Sequence, residues 1–189
     1  RLRALDRATL ARSMPDPQSA GSLAGPDDGT LVGKYRVVRR LASGGMGEVF
    51  LARVEGPAGF EKTLVLKRVL RRLQGEPRFI EMFLNEARIA AQLSHPNVVH
   101  IYELVELEGS YVIAMEYVEG LSLRALLTAA KAKMISLSPA LACHLCAQAL
   151  HGLHYAHLLR DERGRVRGVV HRDVSPENIL LGYNGSVKV

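Results

Sequence analysis

The stretch "LASGGMGEV", residues 41–49, limits the fold of this chain more than any other. It sets Gly44, Gly45 and Gly47 between "YRVVRRLAS" and "GEVFLARV", two segments that read as β-strands. Glycines let backbone N–H groups approach phosphate oxygens with no Cβ in the way. The residues just after the loop narrow the architecture. A dinucleotide-binding turn of the doubly wound type must open a helix, whereas Glu48-Val49-Phe50-Leu51 is strand-like. No Gly-Lys-Ser/Thr appears, so the loop is not a P-loop. Taken alone, the stretch also fits an ordinary hairpin turn.

Two charged residues add to it. Lys67 ends the apolar run "TLVL", a poor place for a cation without an anionic partner. Downstream, "PRFIEMFLNEARIAAQLS" carries Phe79, Met82, Phe83, Ile89 and Leu93 at helical spacing, with Pro77 at its start and "HPN" after it. Glu86 lies there among Leu84, Ala87 and Ile89 and reads as facing an interior. A Lys67–Glu86 ion pair would satisfy both residues and leave Lys67 aimed at an α- or β-phosphate. A purely stabilising pair is the alternative, and buried pairs are weak stabilisers.

The remaining pattern defines the organisation. "VVHIYELVEL" and "SYVIAMEYV" read as strands around a turn at Glu108–Gly109, and "SLRALLTAAKAK" as a short helix. "SPALACHLCAQALHGLHYAHLL" reads as a long helix, with Ser138 as N-cap and Pro139 in its first position. A charged loop, "DERGRVRG", comes next, and short strands near 179–181 and 187–189 close the chain. Five strands with one helix, then mostly helix, imply an α+β protein with two lobes, residues 33–118 and 119–189. Residues 1–32, rich in Pro, Gly, Ser and Asp, read as a disordered leader without the apolar core of a signal peptide. The absence of an initial Met reads as a fragment or a processed product.

Composition excludes several classes. The net charge of +6 is spread along the chain, and only 5% of residues are aromatic, too few among the cations to stack bases. Nucleic acid is therefore not an expected partner. No run of 18 apolar residues exists to span a membrane. Cys143 and Cys146 sit at helical spacing among Ala and Leu and read as two small buried residues. His144, His151, His154 and His157 lack carboxylates to complete a metal site and read as surface or packing residues.

The order of glycine loop, strand Lys67, helix Glu86, "MEYVEG", His171-Arg172-Asp173 and Asn178 resembles the protein-kinase catalytic domain. It is most similar to the bacterial Ser/Thr kinases of eukaryotic type, from about Tyr35 to Val189. The resemblance implies that Asp173 accepts or orients the proton of a substrate hydroxyl, while Asn178 binds Mg²⁺ through its amide oxygen. It implies that Arg172 pairs with an activation-loop phosphate and that His171 packs structurally. It further implies that Val49, Val65 and Leu180 sandwich the adenine of ATP. The backbone of Glu116 and Val118 would bond the adenine edge, with Met115 guarding the pocket behind. A protein with Ser/Thr acceptors would be the partner and the cytoplasm the location, with any membrane anchor lying in another segment.

Three departures stand out. Ala42 occupies the first glycine position of the loop, and the strand motif reads Val65-Leu66-Lys67 after Leu64. Ser175 stands where Ser/Thr kinases usually carry a Lys that contacts the γ-phosphate, which weakens the local evidence against Tyr specificity. No Asp-Phe-Gly comes after "SVKV", so residues 1–189 alone are expected to be inactive. A non-catalytic pseudokinase is the rival from another class, and a small-molecule kinase sharing the fold is a third reading. The first would be marked by loss of Lys67, Asp173 or Asn178, and all three are present.

Overall fold

Burial that alternates at the start of one nine-residue segment and along a second, and runs almost unbroken along the end of a third, builds the main sheet. These are β2 (Tyr35–Ser43), β3 (Gly47–Glu55) and β4 (Glu61–Val69). The computed structural model describes residues 29–44, 47–70, 75–107 and 109–189. With β1 (Leu31–Val32), β5 (Ile101–Leu107) and β6 (Ser110–Glu116), these strands form an antiparallel sheet ordered β1-β2-β3-β4-β6-β5. Leu31–Val32 belongs to the sheet and not to a leader: Val32 pairs with Tyr35 and Leu31 with Arg36. Pairing, not local pattern, makes this two-residue strand. The rest of the expected leader, residues 1–28, lies outside the described residues.

The sheet's two faces carry different cores. One gathers Tyr35, Val37, Phe50, Ala52, Leu64, Leu66, Val112 and Ala114. On the other, Val69 and Ile113 meet Phe83 and Ala87 of helix α1 (Pro77–Ala90). Pro77 opens that helix, where its missing N–H costs nothing. These elements form one compact unit, made of described residues 29–95 and 99–117.

A second unit comprises Pro96–Val98 and Val118–Val189. Helix α2 (Leu123–Ala132) starts at Ser122, whose hydroxyl accepts from the Ala125 N–H. Helix α3 (Pro139–His157) starts at Ser138, which caps the Leu141 N–H in the same way. A small sheet, β7 (Gly120–Ser122), β8 (Leu180–Gly182) and β9 (Val187–Lys188), closes on both helices. Leu126, Leu145, Leu181 and Val187 form its core. Asn97 is buried here: its amide donates to Gln148 of α3 (3.0 Å) and to the Val187 carbonyl (2.8 Å).

Cys143 and Cys146 are exposed, contrary to the sequence expectation. Helix α3 is apolar around most of its girth, and only its Leu145–Ala149–Gly152 stripe is buried. The four histidines of α3 are exposed, as surface residues should be. Among the described residues, no group of three or more His, Cys, Asp or Glu could hold a metal ion. No helix among them is long and apolar enough to cross a membrane.

Candidate active site

Strand register places the nucleotide candidates of the first unit. Val49 lies opposite both Ala42 and Lys67, Val65 lies opposite Leu51 and Met115, and Leu64 lies opposite Glu116. Directly opposed residues share a face, as do residues two apart. Ala42, Val49, Val65, Lys67 and Met115 therefore line one face, the one that also receives α1. Val65 is buried there, while Val49 and Met115 are half-buried.

Lys67 Nζ meets Glu86 Oε1 at 2.6 Å, as the sequence pairing requires. Its surroundings differ from expectation. The Glu86 side chain is 57% exposed and that of Lys67 28%, so Glu86 does not face an interior. Its neighbours Phe83 and Ala87 occupy the buried stripe of α1, and Glu86 reaches Lys67 from the rim. The glycines divide in role. A Cβ on Gly47 would lie 2.8 Å from the Arg68 carbonyl oxygen, so close strand approach alone demands glycine there. Gly44 has open space around it, and its N–H donates to the Gly47 carbonyl at 2.9 Å to close the loop. Gly45 lies outside the described residues.

The Glu116 backbone N–H donates to the His100 carbonyl (2.8 Å), so any adenine bond from this residue falls to its own carbonyl. Strand β6 ends here and its last N–H is taken by the neighbouring chain segment. The Glu116 carboxylate accepts from the His100 N–H at 3.2 Å. Among these candidates, the second unit holds Val118, Asp173, Asn178 and Leu180, with Val118 and Leu180 half-buried.

Asn178 organises the loop that carries Asp173. Its Nδ2 donates to the Asp173 carboxylate Oδ2 (2.8 Å) and to the Asp173 carbonyl (2.9 Å). Committing the amide nitrogen this way leaves the amide oxygen, a hard donor of the kind Mg²⁺ prefers. The donor chemistry thus fits such an ion. His171 is exposed; it does not pack, but its Nδ1 accepts from the Asp173 N–H at 3.3 Å. Arg172 adopts φ 65°, the left-handed region that a non-glycine residue rarely enters.

Sequence reading missed the clamp behind this loop. Arg124 Nε donates to Glu177 Oε1 at 2.6 Å, and the Arg124 and Leu123 N–H groups donate to the carbonyls of Pro176 and Ile179. The Arg124 hydrogen bond, and after it the Glu177 N–H, hold the Glu177 carboxyl below its ordinary value of 4.5. Ser175 adds a smaller lowering of the same carboxyl. No signal pointed to Arg124, because its partner is 53 residues away.

The curled sheet with its Lys67–Glu86 pair, and the separate loop joining Asp173 to Asn178, define the class. Residues 35–189 match the model of the protein kinase domain, and this chain belongs to that family. It is 46% identical over 157 residues to the tyrosine-protein kinase MasK of Myxococcus xanthus, covering 83% of this chain and 24% of MasK. It is 34% identical over 157 residues to the serine/threonine-protein kinase PrkC of Bacillus subtilis, covering 83% of this chain and 22% of PrkC. The solved kinase domain of PknI from Mycobacterium tuberculosis superposes with a TM-score of 0.66 at 29% identity. That match covers 86% of this chain and 59% of PknI's. The chain thus spans about a quarter of the curated relatives' length, and the two-lobed kinase fold expected from sequence is the one found.

Proposed function

We propose that the polypeptide carrying this domain transfers the γ-phosphoryl group of ATP to hydroxyl groups of proteins. The Lys67–Glu86 pair at 2.6 Å, on the same face as Val49 and Val65, carries the reading. Glu86 holds the ammonium in place for the α- and β-phosphates, and the apolar residues receive adenine. Asp173 has one carboxylate oxygen held by Asn178, leaving Oδ1 to take the proton of an incoming hydroxyl. That hydroxyl oxygen bonds to the γ-phosphorus as the bond to the β–γ bridging oxygen breaks, releasing ADP. The Asn178 amide oxygen would hold Mg²⁺, which would supply charge neutralisation at the phosphates. ATP supply places the activity in the cytoplasm, whether or not another segment anchors the polypeptide to a membrane.

Serine and threonine are the proposed acceptors, in keeping with PrkC and the several other relatives named as serine/threonine kinases. Tyrosine is the second reading, favoured by the 46% identity to a protein named a tyrosine kinase and by Ser175 in place of the usual Lys. Incubating the full-length protein with γ-labelled ATP and hydrolysing the product distinguishes phosphoserine and phosphothreonine from phosphotyrosine. No label in any residue, with ATP still bound, would move the reading to a pseudokinase.

A further inference from the structure

Beside the candidate site lies a charged cluster with no part in the proposed transfer. Glu48, the residue after Gly47, is buried on the opposite face of the sheet, where Arg68 lies directly across from it. Arg68 Nη2 meets Glu48 Oε2 at 2.8 Å, with side chains only 11% and 8% exposed. Arg40 Nη1 approaches the other oxygen, Oε1, at 3.6 Å. The Arg68 guanidinium also lies 5.4 Å from the centre of the Phe50 ring, yet its buried Nε has no hydrogen-bond partner. Such a cluster is a poor stabiliser, because burying the charges offsets their attraction and an orphaned N–H adds to the cost. What it can supply is specificity.

The sequence here needs it. Lys67 and Arg68 are adjacent cations, and neighbours on a strand point to opposite faces. A one-residue slip of β4 would send Arg68 to the nucleotide face and bury Lys67. Strand β2 is irregular at the same end, with register shifts on either side of Arg39–Arg40. The three charges come from β2, β3 and β4, one each, at the end where the two stems of the glycine loop pair with each other and β3 pairs with the lysine strand. We infer that Glu48, with Arg68 and Arg40, is a positioning device: it selects Arg68 for the interior and so fixes Lys67 and the loop stems in register for phosphate. The nucleotide half of this inference rests on the kinase reading; the register half does not.

The test uses the full-length protein. E48L/R68M replaces the pair with apolar side chains, which buried sites commonly tolerate. The thermal midpoint should hold, while amide exchange at residues 47–50 and 66–69, without nucleotide, should quicken by at least about tenfold and exchange in α1 stay unchanged. kcat/KM for ATP should fall by about 10²-fold, the scale of a misplacement of about 1 Å. Should the double variant fail to fold, R40Q tests the same idea at a partly exposed partner, with a smaller change in the same direction. Wild-type exchange in the folded double variant, or in R40Q if only that folds, overturns the inference whatever the kinetics show. Faster exchange in a protein whose wild type transfers no phosphate upholds the register role and overturns the kinase reading instead.

Discussion

Replacing Lys67 by Met should separate catalysis from stability. The ammonium sits 2.6 Å from Glu86, but the side chains are 28% and 57% exposed, so water screens the pair. Pairs of this kind contribute up to about 1 kcal/mol. Lys67 also lies 6.0 Å from the centre of the Phe83 ring, a contact that a methionine sulfur can largely replace. The loss should therefore stay below about 1 kcal/mol, or roughly 2–4 °C in thermal midpoint for a domain of this size. Removing a fixed charge from the α- and β-phosphates, where charge builds as ADP leaves, costs far more, on the order of 10²–10³ in rate. Calorimetry and phosphate transfer from labelled ATP, both on the full-length protein, measure the two quantities. Wild-type transfer by Lys67→Met would remove the lysine from the mechanism. A midpoint lowered by much more than the stated range, with activity lost, would show instead that the pair serves the fold.

Asp173→Asn should lower turnover by about 10²–10⁴ while ATP affinity, read by titration, stays near wild type; an equal fall in affinity would refute the role given to Asp173. Gly152→Ala should destabilise, because the added Cβ would lie 2.5 Å from the Asn97 carbonyl oxygen. Overpacking of about 1–3 kcal/mol is set against a helix-propensity gain of up to about 1 kcal/mol, and urea unfolding showing no loss would contradict the packing described. The Arg124–Glu177 clamp should depend on pH in one direction. Its carboxyl is depressed in the folded state, so its contribution is full above the ordinary value of 4.5 and is lost as pH falls through the lowered one. The stability difference between wild type and Arg124→Gln should shrink over that window and with added salt; a difference independent of both would rule the clamp out.

The parts legible in sequence are those written in a repeating pattern or as an exception to one. Alternation in 35–43 and 47–55 and an apolar run in 61–69 mark the strands, Ser-Pro at 138–139 marks the start of α3, and a lysine closing an apolar strand points to its glutamate. The hidden parts depend on partners far along the chain. Leu31–Val32 and Gly120–Ser122 are strands because of what they pair with. Asn97 bonds residues 51 and 90 positions away, and neither spacing leaves a periodic trace. Helix α3 misleads for the opposite reason. With apolar residues on nearly every side, its period does not say which stripe is buried, and the pattern puts the cysteines on the wrong one.

The two groups of candidate residues are held in place by different physics. Lys67 takes its position from strand register and one ion pair, features of an extended sheet in which neighbouring hydrogen bonds support one another. Asp173 lies in no strand. It comes after Arg172, held at φ 65°, a conformation that costs a residue with a Cβ on the order of 1–3 kcal/mol. That cost is met locally: His171 Nδ1 accepts the Asp173 N–H, Asn178 Nδ2 spans back to the Asp173 carbonyl and carboxylate, and the Asn178 N–H donates to the Ser175 carbonyl. The three side-chain bonds are short in sequence and exposed, so none of them is shielded from competing water. The outer support is the pair of backbone bonds from Leu123 and Arg124 at the start of α2, with the Arg124–Glu177 pair beside them. Asn178 is therefore more than a metal-ligand candidate. The nitrogen of its amide maintains the loop that its oxygen would serve, and a substitution there removes both at once.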